Sequence, residues 1–213
     1  MKIAIIGATG YVGSKLLAEA LARGHQVTAL VSRPERVEAH AGVTAQKADV
    51  LDTNALAAQL QGYDAVISAF SGHAHGDKTY DYYVQGIQSI IAAAKRAEVK
   101  RLLVVGGAGS LEVAPGLQVV DTPDFPEQWK QSALGAREAL NLLRKESSLN
   151  WTMLSPAAFL QPGERTGKFR LGTDQLLADA QGESRISVED YAVAMIDELE
   201  HPAHAHSRFT LAY

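Results

Sequence analysis

The 213-residue chain contains no cysteine, which excludes disulfides, thiolate metal sites and a cysteine nucleophile. No apolar run approaches the roughly 20 residues of a membrane-spanning helix, so no membrane partner is expected. Charge of one sign is also scarce: 20 basic against 24 acidic residues leave a formal net charge of -4. That balance gives no basic footprint for nucleic acid. No internal repeat and no low-complexity tract is visible. The opening Met1-Lys2 runs into an apolar stretch with no leader pattern, so a soluble, cytoplasmic protein is expected.

What the chain has is ordinary globular composition, 46% hydrophobic and 21% charged, in a length that suits one large α/β domain spanning residues 1–213. An apolar run at 3–6 enters a turn with Gly7, Gly10 and Gly13, which opens a helical pattern and returns through a second apolar run at 27–31. That is one βαβ unit, and it reads as a dinucleotide site. Gly7 suits a sharp turn that needs positive φ. Gly10 lets the backbone approach a pyrophosphate, and Gly13 lets the new helix pack closely on the sheet. Phosphate oxygens can meet the N–H groups from Thr9 through Tyr11 to Val12, each contact being worth about 0.3–1 kcal/mol. A glycine-rich turn without a ligand is the alternative, and the complete strand–turn–helix–strand context weighs against it.

The end of the second strand bears on the choice of dinucleotide. An acidic residue there would hydrogen-bond the 2′-hydroxyl of NAD, whereas this chain has Ser32 and Arg33, with Arg36 close behind. A guanidinium pairs with a 2′-phosphate, so NADP(H) is favoured over NAD(H). The other reading of Arg33 is a solvated charge.

Further strands are expected at 43–47, 64–68, 101–105 and 151–154, those at 64–68 and 101–105 buried, with a last one at 208–211. Helices are expected from Asp52 or Thr53 to 60, at 79–97, at 127–145 and up to Glu200. In the last of these, Ser187 and Asp190 have capping-box spacing. The alternation describes a Rossmann-type doubly wound parallel sheet with a small, loop-rich substrate-side subregion at 156–185. Residues that follow the strands are candidates for the cofactor: Asp49 and Val50; Ser68, Ala69 and Phe70; Gly106, Gly107 and Ala108; Pro156 and Phe159. Asp49 reads either as an acceptor for the adenine amino group or as a turn aspartate. The Pro- and Gly-rich stretch at 112–126 is long enough for a lid. His73, His75 and Asp77 alternate as metal ligands can, without a visible further ligand, so no metal site is expected. His201, His204 and His206 read as surface residues.

The spacing G-x-x-G-x-x-G in GATGYVG resembles the atypical and extended branches of the short-chain dehydrogenase/reductase superfamily. Together with VVGGAGSLEVAPG, PGERTGKFRLG, ISVEDYAVAMIDELE and a C-terminal RFT, it resembles the NADH-flavin reductase family within the atypical branch, related to NmrA-like and biliverdin-reductase-B-like proteins, over essentially the whole chain. That resemblance implies a Rossmann fold, a nicotinamide cofactor and, in the stretch Ala69-Phe70-Ser71-Gly72, small residues that let the nicotinamide-side ribose lie against the backbone.

The superfamily usually carries Tyr-x-x-x-Lys on the helix at 127–145. Anchored on Arg137-Glu138-Ala139-Leu140, its tyrosine position falls on Lys130 and its lysine position on Leu134, so both are absent. The usual serine is replaced by Gly106 and Gly107, and Ser110 is either a displaced catalytic hydroxyl or a turn hydroxyl. Ketone reduction needs a positioned acid, worth about 10²–10⁴-fold. Hydride addition to a flavin N5 leaves charge spread over the ring system, where solvent can protonate it, and needs mainly orientation of atoms about 3–3.5 Å apart. The expected function is therefore hydride transfer from NADPH to a small-molecule acceptor, a flavin as substrate or a quinone-like compound. Phe70, Phe159, residues 106–110 and the 112–126 loop would shape its pocket. Lys130 reads as a solvated charge and Trp129 as a lid anchor or core residue. The alternative is an NmrA-like redox sensor that binds NADP(H) without turnover. No feature specifies an oligomeric state.

Overall fold

The computed structural model describes residues 1–72, 76 and 78–213. His73, His75 and Asp77 lie outside the described residues. Elements follow in the order β1 (Lys2–Ile6), α1 (Tyr11–Ala22), β2 (Gln26–Val31), β3 (Val43–Lys47), α2 (Thr53–Gln59), β4 (Ala65–Ser68) and α3 (Thr79–Arg96). Then come β5 (Leu102–Val105), β6 (Glu112–Ala114), β7 (Leu117–Gln118), α4 (Glu127–Arg144), β8 (Trp151–Ser155), β9 (Phe159–Gln161), β10 (Arg170–Gly172), β11 (Arg185–Ser187), α5 (Val188–Glu200) and β12 (Ser207–Ala212).

Eight strands form the central sheet in the order β10-β12-β8-β5-β4-β1-β2-β3, parallel except for the edge strand β10. Because both faces are covered, successive residues of a strand enter opposite core layers. Ile3 and Ile5 face the layer of α1 and α5, whereas Ala4 and Ile6 face the layer of α2, α3 and α4. On α3, Tyr83, Ile87, Ile90 and Ala94 form the buried stripe that a 3.6-residue period dictates. The chain leaves β1 toward β2 on one side and meets β4 on the other. That reversal opens a crevice at the carboxyl ends of these strands, where open α/β sheets bind ligands.

Two stretches expected to be loops carry structure. The 112–126 segment holds the β6–β7 pair, pinned where the Glu112 N–H donates to the Asp174 carbonyl (2.8 Å) and Leu176 N–H to the Glu112 carbonyl (2.9 Å). The 156–185 subregion contains β9 and β10 and reaches the start of β11; β9 pairs with β11, and β10 closes the sheet edge against β12. At the start of α5 the Asp190 N–H donates to Ser187 Oγ at 2.9 Å, as the cap requires, but the Asp190 carboxylate does not reach back. It is fully buried and accepts from the N–H groups of Thr166 and Gly167 at 2.8 and 2.7 Å instead.

Candidate functional site

The turn after β1 is built by steric necessity. Gly7 has φ +80°, and a Cβ there would lie 2.7 Å from the Ala69 carbonyl oxygen. A Cβ on Gly13 would lie 2.1 Å from the Gly7 oxygen, so α1 sits directly on the strand end. At Gly10 a Cβ would meet only the Gly7 oxygen, at 3.3 Å, and the outer side of the turn is clear. Gly10 is the N-cap of α1 and provides no side-chain cap, and the first turn has no acidic residue. The helix therefore presents uncapped N–H groups and the positive end of its dipole at the crevice, with nothing anionic in the way.

Around this turn the other candidates fall on one edge. Thr9 and Tyr11 are exposed and Val12 is half-buried. Arg33 and Arg36, after β2, are exposed; the Arg36 N–H donates to the Arg33 carbonyl at 3.1 Å, and neither guanidinium makes a hydrogen bond or ion pair among the described residues. Asp49 is exposed and accepts from the Leu51 N–H at 2.9 Å, a turn contact that occupies one carboxylate oxygen. Asp49 also lines an open cleft of about 600 Å³ with Asp52, Thr53 and Arg96, while Val50 is turned into the core. Ser68 ends β4 with its hydroxyl buried and without a partner among the described residues. Gly106, Gly107 and Ala108 form a half-buried turn fitted against α4, where a Cβ on Gly107 would lie 3.0 Å from the Ala136 methyl. Pro156 is buried beyond β8, and Phe159 stands 59% exposed at the start of β9.

Three expectations need correction. Ser110 does not offer a catalytic hydroxyl: it is 3% exposed, and its Oγ accepts from Arg208 Nη1 at 3.3 Å. Arg208 is buried on β12, also reaches Ser155 Oγ and pairs with Asp174; burial pulls its pKa below the ordinary guanidinium value. Phe70 does not wall the acceptor side. Its ring stacks on Tyr83 at 5.8 Å and lies over Gly86 of α3, packed on the helix layer. His204 is not a plain surface residue: it stacks on Phe209 at 4.1 Å, and its Nδ1 lies 2.7 Å from the Glu198 carboxylate.

Two of the phenols, Tyr83 and Tyr191, are sealed in the core. Tyr83 is buried, which pushes its pKa up to about 12, and Tyr191 is fully buried with its hydroxyl donating to the Leu154 carbonyl at 2.7 Å. Lys130 is 44% exposed and lies 3.8 Å from Glu127 on its own helix, as a solvated charge does. Among the described residues no group of three or more metal-ligating side chains occurs, and no helix is long and apolar enough to cross a membrane.

Sheet order, switch point and glycine turn together define a Rossmann-type nucleotide-binding protein. The chain belongs to the NAD(P)H-binding family, whose model matches residues 7–202. It is an oxidoreductase-like protein of the atypical short-chain dehydrogenase/reductase kind, as its glycine spacing implies. It is 44% identical to the uncharacterized protein YwnB of Bacillus subtilis, over 99% of this chain and 98% of that one. A candidate epimerase of Bacteroides thetaiotaomicron is 47% identical, with a TM-score of 0.94 over 100% of this chain and 96% of that chain. SP1627 of Streptococcus pneumoniae, a candidate NADH-flavin reductase, is 36% identical, with a TM-score of 0.87 over 100% and 99% of the two chains.

Proposed function

We propose that the protein transfers hydride from NADPH to a planar, aromatic acceptor of the flavin or quinone class, without a Tyr/Lys pair. One observation carries the acceptor class. The eight large apolar side chains exposed among the described residues are Met1, Tyr11, Leu51, Val113, Leu117, Trp129, Phe159 and Leu171. All but Met1 and Leu171 lie on segments that leave the carboxyl ends of β1, β3, β5 and β8. Exposed apolar groups gathered on one edge mark a binding surface, and flat aromatic compounds suit it.

The fit of the cofactor rests on the same edge. A pyrophosphate would be held by the N–H groups of the first turn of α1, beside Gly7, Gly10 and Gly13, with no Cβ or carboxylate opposing it. Arg33 would pair with a 2′-phosphate, and Asp49 would accept from adenine through its free oxygen. The backbone of Ala69, Phe70, Gly106, Gly107 and Ala108 would flank the nicotinamide half, with Pro156 and Phe159 on the acceptor side. A reduced nicotinamide held there supplies hydride. The residues present orient the two ring systems, and solvent supplies the proton, with Ser110, Tyr83 and Tyr191 buried away from it. SP1627's description as a candidate NADH-flavin reductase supports the acceptor class. The test is NADPH consumption with FMN, FAD and a benzoquinone. Saturable turnover is expected with at least one, and tight NADPH binding with none would favour a sensor.

A further inference from the structure

One face of α1 carries a polar side chain at every fourth position, Tyr11, Lys15, Glu19 and Arg23, which stacks the four along the helix. Each of the first three reaches the 159–167 segment or its anchor. The Tyr11 hydroxyl donates to the Leu160 carbonyl at 3.3 Å. Lys15 pairs at 3.0 Å with Glu189, which accepts from the Gly163 N–H at 2.9 Å. Glu19 accepts two hydrogen bonds from Arg165, each at 2.7 Å. Arg23 continues the row into α5, with Asp197 at 2.7 Å and Glu200 at 2.8 Å.

The segment is thus a strap laid over the seam between α1 and α5. Its far half is held by Glu19, Glu189 and the buried Asp190. Its near half pairs with β11 and carries Phe159, whose ring is free to meet a ligand. At that near half, the contact with the glycine turn comes from Tyr11, the first residue of α1.

We propose that Tyr11 is a positioning residue: by holding the Leu160 carbonyl it ties the strap to the cofactor turn and so sets where Phe159 stands over the acceptor. The reading of the cofactor and acceptor edges under Proposed function underlies this assignment. Burial and the nearby Glu189 carboxylate both raise the Tyr11 pKa, which keeps the phenol protonated and donating. Tyr11 is 54% exposed, so removal of one hydroxyl leaves the core untouched.

The test compares Tyr11→Phe with the parent by amide hydrogen exchange over residues 159–167, by NADPH affinity and by steady-state kinetics with FMN. Expected are faster exchange at 159–161 in the variant without any ligand, NADPH affinity within about twofold, and a KM for FMN raised roughly three- to tenfold with kcat within twofold. Strap exchange identical in the two proteins overturns the proposal. So does a loss that falls equally on NADPH binding and on kcat, which would make Tyr11 a cofactor contact alone. Because the exchange comparison needs no ligand, it decides the latch even if FMN proves not to be an acceptor; absent turnover in both proteins would instead count against the function proposed above.

Discussion

The Gly13 Cα lies so close to the Gly7 carbonyl that an added Cβ would come within 2.1 Å of its oxygen and 2.9 Å of its carbon. Both are backbone atoms of the turn and cannot swing aside. Gly13→Ala must therefore push α1 off the strand end, at a cost of about 1–3 kcal/mol for overpacking. The expected result is a lower thermal midpoint and an NADPH affinity reduced more than tenfold. Calorimetry and a fluorescence titration measure the two effects.

The Arg33 guanidinium projects from the end of β2 without a partner among the described residues, so it is available to a 2′-phosphate. A charge-assisted hydrogen bond is worth about 1.5–3 kcal/mol. Arg33→Ala is expected to weaken NADPH binding roughly 10- to 100-fold and to leave NADH within about threefold. No effect on either dinucleotide would make Arg33 a solvated charge, and an equal loss on both would place it on a part the two share.

Ser110 and Arg208 separate structure from catalysis. Ser110→Ala removes one acceptor from a buried guanidinium that keeps Ser155 and Asp174. About 1 kcal/mol of stability should be lost, with kcat within about twofold. Arg208→Ala leaves the buried hydroxyls unpaired and opens space under β12, so its loss of stability should be the larger. A kcat reduced a hundredfold by Ser110→Ala, in a folded protein, would restore the serine to the chemistry.

Acid sensitivity follows from Glu146. Hydrogen bonds from Lys95 and Ser148 hold its carboxyl at about 2, below its ordinary value of 4.5. A group with a depressed folded pKa contributes its full stability above the unfolded pKa and loses it as pH falls through the folded one. The loss therefore runs from about pH 4.5 down to about pH 2. Glu146→Gln should flatten part of the acid limb of the thermal midpoint and lower the midpoint at neutral pH.

The parallel core was legible because its inner strands are buried on both faces and read as apolar runs: β1, β2, β4, β5, β8 and β12 fall within one residue of the expected spans at each end, and the half-exposed edge strand β3 matches 43–47 to the residue. The glycine turn was legible because its spacing encodes close approaches along a short piece of chain. β9, β10 and β11 were not, since they are three residues each and pair with partners at 26 and about 40 positions' distance, on polar, glycine-bearing sequence. Ser110 looked available because its partner Arg208 lies 98 positions away. One signal pointed there: Phe209 and Leu211 alternate with Arg208 and Thr210 in a central strand, so both polar residues had to enter the other buried face. Capping-box spacing located Ser187 correctly, but local pattern cannot show that the Asp190 carboxylate serves the strap.

The most direct measurement of the central claim is the rate of NADPH oxidation by the purified protein as FMN is titrated. Saturable, enzyme-dependent oxidation that survives Ser110→Ala and falls with Arg33→Ala is the predicted result. NADPH bound tightly and left unoxidised across flavin and quinone acceptors would contradict it.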